Sequence, residues 1–185
     1  MLNQDLNDMV AEENQIKQST IDSLPRPTFV TIEDTDITNY IYAFCKNLLK
    51  FSKEKHASKE MAYAINLNTL DFVGTAFGDS RTVNLEPLLS QMGEFGCIYI
   101  VLHNHPSNNY FSPKDMNTFF EIVNISILVV IGNNGAVYVI EKTKQLSRED
   151  FFDIKKIIIK YRKAEISFEE VIDLLLPFGI VYNQF

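Results

Sequence analysis

Apolar residues recur at helical spacing from Thr35 onward, at Ile37, Ile41, Phe44 and Leu48, and this predicts a helix capped by Asp34 or Thr35. The pattern then shifts to short apolar runs. "MAYAINLN" and "DFVGTAF" read as two strands joined by a turn at "NTLD". "NLEPLLSQMGEFG" suits a short helix ended by Gly93 or Gly96. "CIYIVLH" is apolar and β-branched, the pattern of a buried strand that delivers His103 at its end. "SPKDMNTFFEIVNI" predicts a helix, and "SILVVIGNNGAVYVIEK" a hairpin turning at Asn133, Asn134 and Gly135. Two C-terminal helices, "SREDFFDIKKIIIKYRKAE" and "SFEEVIDLLLPF", each open on a serine with an acid close behind.

Ahead of all this, residues 1–24 are polar, acidic and only weakly amphipathic, and "SLPRPTF" would break any helix there. That segment reads as an extension or a loosely docked helix outside the core. Strands and helices are interspersed, so the expected fold is a mixed α/β (α+β) domain at 35–143. It lies between an N-terminal extension at 1–34 and a C-terminal helical extension at 144–185.

The chain has 185 residues, enough for one domain with a sizeable core, and its 46% hydrophobic content is that of a globular protein. The net charge of −7 argues against a nucleic-acid partner, because phosphate contacts need clustered Lys and Arg. "KKIIIKYRK" interrupts its charges with Ile157, Ile158, Ile159 and Tyr161, as a solvated helix face does. Cys45 and Cys97 lie in apolar contexts without metal-ligand spacing, so no disulfide framework is suggested. No signal-peptide pattern opens the chain, and no apolar stretch approaches the ~20 residues a membrane span needs, so a cytoplasmic location is the expectation.

Two of the three histidines stand one residue apart in "HNHPSNNYFSPKD". Residues i and i+2 of a strand share a face, so His103 and His105 can converge on one point while Asn104 turns away. Asp115 is the candidate third ligand. "SPKD" also makes Ser112 an N-cap, Pro113 the first helical residue and Asp115 the acid of a capping box. The two roles are compatible, since a first-turn aspartate after a short loop can face the preceding strand end. Two imidazoles and one carboxylate leave a fourth tetrahedral position open, as catalytic zinc sites do.

The stretch resembles the signature of the JAMM (MPN+, JAB-domain) zinc metalloproteases, His-x-His-Pro followed by Ser-x-x-Asp. "HNHPS" and "SPKDM" look most like the RadC-like branch, and the resemblance covers roughly residues 55–142. It implies a curved mixed sheet flanked by helices. It also implies Zn2+ held by His103, His105 and Asp115, and an oxyanion stabilised by Ser112. Characterised members cleave peptide or isopeptide bonds at the C-termini of ubiquitin or ubiquitin-like proteins, so a protein or peptide substrate is expected. Five residues separate Pro106 from Ser112 where six are usual, and Asn108 stands where RadC-like members carry glycine. Asn tolerates the left-handed backbone that glycine would supply.

Members of the family use a glutamate near the start of an early strand as the general base. Glu60 in "SKEMAYAINLN" matches that placement, with Glu54 and Glu86 as reserves, and His56 reads as a solvent-exposed residue rather than a fourth ligand. Two other readings compete. A RadC-like role in DNA maintenance or mobile elements usually comes with helix-hairpin-helix DNA modules, whose glycines residues 1–50 lack. A non-catalytic MPN-type binding module would tend to have lost the polar motif that this chain retains.

Overall fold

The computed structural model describes residues 8–93 and 96–185. Six strands form one mixed sheet: β1 (Met61–Asn66), β2 (Phe72–Phe77), β3 (Tyr99–His105), β4 (Ile125–Gly132), β5 (Val137–Lys142) and β6 (Ile180–Gln184). Their order across the sheet is β2-β1-β3-β4-β5-β6. Only β3 and β4 pair in parallel, and every other neighbouring pair is antiparallel. A parallel pair needs a crossover connection. Residues 106–124, with helix α4 (Pro113–Glu121) at their centre, provide it.

The alternation of side chains divides the core into two layers. On one face Ala62, Ala64, Val101, Leu128 and Val130 pack with Met116 and Phe119 of α4. The same layer holds Ile154 and Ile158 of α5 (Arg148–Arg162) and Val171 and Leu175 of α6 (Phe168–Leu175). On the other face Met61, Ile65, Ile100, Leu102, Val129 and Val139 meet Ile41, Cys45, Leu48 and Leu49. Those four belong to α2 (Thr35–Lys55). The mixed α/β architecture is therefore as the sequence pattern anticipates. Asp34 caps α2 by accepting from the Asp36 and Ile37 amides. Ser147 and Ser167 open α5 and α6 with full capping boxes.

Several elements differ from expectation. Residues 1–7 of the N-terminal segment lie outside the described set, but its described part does not stay outside the core: Ile16, Ile21, Leu24 and Phe29 are buried in the α2-side layer, and α1 (Gln18–Asp22) packs on α2. Its apolar residues follow no single period, so no one element announces them. Glu141 on β5 pins its end by accepting from the Val30 and Thr31 amides at 2.8 and 3.0 Å and from the Thr31 hydroxyl. The helix expected after Asn84 is only α3 (Glu86–Leu89), of which Leu88 alone is buried. Gly93 and Gly96 lie beyond its end, and residues 94–95 are outside the described set. The C-terminal segment is not wholly helical, because β6 follows a left-handed Gly179 and joins the sheet beside β5. Both cysteines are free, and burial pushes the Cys45 thiol up to about 12.

Candidate metal centre

The central strand β3 carries the histidines. Its hydrogen bonds to β1 on one side and β4 on the other bury every residue from Tyr99 to His105. His103 and His105 share the α4 face with Val101, as strand alternation requires. Ala62 lies opposite His103 in the β1 register, and its small side chain leaves the imidazole room. The Nε2 atoms of His103 and His105 stand 2.9 Å apart.

Past His105 the chain reverses in a tight turn, with the Asn108 amide donating to the His105 carbonyl at 3.2 Å. Asn108 has φ of 59°, the left-handed conformation its type tolerates. The five-residue loop between Pro106 and Ser112 thus closes at Asn108. The chain then enters α4 at Ser112, whose hydroxyl accepts from the Asp115 amide at 3.2 Å while its own amide donates to Asp115 Oδ2 at 2.7 Å. The same carboxylate reaches the histidines: Oδ1 lies 3.6 Å from His103 Nε2 and Oδ2 3.4 Å from His105 Nε2. Capping and convergence coexist in one side chain.

These three residues could hold a metal ion. Ligands of a tetrahedral zinc at 2.0–2.1 Å stand about 3.3 Å from one another, and the separations of 2.9, 3.4 and 3.6 Å bracket that figure. His105 Nδ1 lies 2.9 Å from the Asn109 carbonyl, so a proton held there leaves Nε2 free as a donor atom. His103 Nδ1 is buried with no partner among the described residues, so packing and the neighbours of its Nε2, His105 and Asp115, orient that ring. Burial lowers the His103 pKa to about 4, keeping that ring neutral. Burial also opposes charge on His105, but the hydrogen bond and charge of Asp115 outweigh it and leave that pKa raised. Burial alone would raise Asp115, and the two imidazoles instead hold it well below the usual carboxylate range.

Glu60 comes from the other side. It immediately precedes β1 and is only 6% exposed. Its amide donates to the Asp79 carbonyl and its carbonyl accepts from the Gly78 amide, both at 2.9 Å, so its backbone extends the β1–β2 hairpin. Burial, with the charges of Asp115 and Asp79 against the opposing charge of His105, raises its pKa to about 7. Glu60, His105, Ser112 and Asp115 line one groove of about 580 Å³, with Arg81 and Lys114 at its exposed rim. The groove does not include Glu54 or Glu86. His56 is neither solvated nor a member of the cluster: it is half-buried, with Nε2 2.8 Å from the Gly78 carbonyl.

Sequence reasoning missed the residues beneath the site. Asn133 donates to the carbonyls of Asn14 at 2.9 Å and Ser58 at 2.8 Å, and Asn108 donates to Asn14 Oδ1 at 3.0 Å. Asp8 pairs with Lys59 and accepts from the Ser80 amide at 2.9 Å. No periodicity signals such contacts, because each joins segments far apart in the chain. Compared with known proteins, the chain matches no family model, no curated protein and no solved structure.

Proposed function

We propose that this protein is a zinc-dependent metallo-(iso)peptidase of JAMM type, hydrolysing an amide or isopeptide bond of a protein or peptide, with ubiquitin-like C-termini the first substrates to try. One observation carries the reading. Two imidazoles and a carboxylate converge within 3.6 Å of one another, and a second, buried carboxyl group, that of Glu60 just ahead of β1, lines the same groove as His105 and Asp115.

Zinc on His103, His105 and Asp115 would supply a polarising charge and activate a water for attack on the scissile carbonyl. The chain's own groups do the rest. With a pKa near 7, the Glu60 carboxyl group is poised to accept a proton from the attacking water and return it to the leaving nitrogen. Ser112 spends a lone pair on the Asp115 amide and keeps its hydroxyl proton to donate to the developing oxyanion. The walls built by Tyr110, Phe111 and Tyr161 exclude bulk water from one side of the groove.

Two measurements test this. Metal analysis of purified protein should find about one zinc per chain, lost in His103→Ala. A panel of ubiquitin-like fusions should be cleaved by the wild type, while Glu60→Gln keeps its zinc and loses turnover by about 10²–10⁴-fold. Protein that takes up no zinc, or a Gln variant of undiminished activity, refutes the mechanism.

A further inference from the structure

Between the two histidines, Asn104 turns its side chain to the opposite face of β3, where it is fully buried. The paired register of β1 with β3 ends at Ala62 and His103. One step further on, the Asn104 carboxamide takes over the work of the backbone ladder. Its Oδ1 accepts from the Met61 amide at 3.0 Å, and its Nδ2 donates to the Lys59 carbonyl at 3.1 Å and to Asn133 Oδ1 at 2.8 Å. Met61 and Lys59 flank Glu60, so one side chain grips the backbone on both sides of that residue. The Ser52 hydroxyl adds a second bond to the Lys59 carbonyl at 2.7 Å, and Asn133 reaches the Ser58 carbonyl at 2.8 Å.

We infer that Asn104 is a positioning residue for Glu60: its carboxamide fixes the backbone at 59–61 so that the glutamate side chain is presented to the groove beside His105. The inference rests on the reading of Glu60 as the proton-transfer group. The physical reason is economy of distance. The strand that places both imidazoles on one face places this amide on the other, so a single rigid element sets the base relative to the ligands. A carboxylate on a loosely held strand entry would sample several positions, and proton transfer depends on hydrogen-bond reach.

The test combines a spectroscopic and a kinetic readout. The side-chain carbonyl carbon of ¹³C-labelled Glu60 is followed by NMR with and without cobalt(II) in place of zinc. Two variants are compared with the wild type: Asn104→Ala, and the near-isosteric Asn104→Asp, which keeps an acceptor for Met61 but sets an oxygen against the Lys59 carbonyl. Both should bind cobalt(II) with unchanged stoichiometry while the Glu60 resonance shifts or broadens in each metal state. On a cleaved fusion, Asn104→Ala should lower kcat by about 10–100-fold with KM unchanged, and cause no further loss in a Glu60→Gln background. An unmoved Glu60 resonance in both variants, or an equal loss of kcat in both backgrounds, overturns the inference. If no fusion is cleaved by the wild type, the hydrolase reading fails, and the resonance still decides whether Asn104 positions Glu60.

Discussion

Asn108 holds a left-handed conformation of the kind glycine adopts freely, and adds bonds of its own. Its left-handed φ of 59° closes the loop after His105, and its side chain accepts from the Asn134 amide at 2.8 Å and donates to Asn14. Asn108→Ala should destabilise the fold by about 2 kcal/mol, through left-handed strain plus the two lost bonds. Asn108→Gly should cost about 1 kcal/mol less than Ala, because it removes the strain but not the lost bonds. Urea unfolding of the two variants separates the terms, and equal losses would show that strain is not involved. At this scale the ligand candidates were legible, since His103, His105 and Asp115 lie within one short stretch and obey strand and capping rules. The face on which Glu60 lies also follows from alternation, as it shares the parity of Ala62. Its burial does not, nor does the network through Asn14, Asn104 and Asn133, because side-chain bonds across the fold leave no local pattern.

Among the elements, α4 is held at both ends by different chemistry. Its first turn is closed by the Ser112–Asp115 box, and its last by Lys142 of β5, whose Nζ donates to the carbonyls of Phe119 at 2.6 Å and Ile122 at 3.2 Å. A lysine serves well there, where helix carbonyls lack intrahelical partners. Burial nonetheless lowers its pKa from 10.5 to about 7. Between those two values the unfolded chain binds a proton that the folded chain does not, so this group makes stability rise as pH increases through that window. Denaturant titrations of wild type and Lys142→Met should therefore show the wild type gaining stability relative to the variant from pH 7 toward 10.5. A difference independent of pH would refute the assignment. Strongly periodic elements such as α2 and α5, and the hairpin turning at Asn133–Gly135, were readable in sequence. β6 was not: it is five residues long, partly exposed, and gains its order only by pairing with β5. α3 is shorter than its apolar pattern predicts, and only Leu88 of its residues is buried.

For the molecule as a whole, the sheet separates two layers that do different work. The α4 side carries the candidate ligands and the groove, and the α2 side carries the amide network and the docked N-terminal segment. Among the described residues no helix is long and apolar enough to cross a membrane. The interspersed pattern of strands and helices is enough to give the mixed class, but not the place of residues 16–29, whose buried apolar positions make sense only against the α2 layer. The candidate ligands sit on the end of β3 and the start of its crossover to β4. All three candidate ligands fall between residues 103 and 115, so an ion bound there would tie together a short loop and contribute little loop-closure entropy to the whole fold. Chelation of metal-loaded protein should accordingly speed amide hydrogen exchange in the Asn108–Asp115 loop and the first turn of α4, while protection in β1, β3 and β4 persists. Global loss of protection would mean that the ion is structural. Local opening would instead mark this connection as a separate cooperative unit, one that can yield and re-form without disturbing the sheet that carries it.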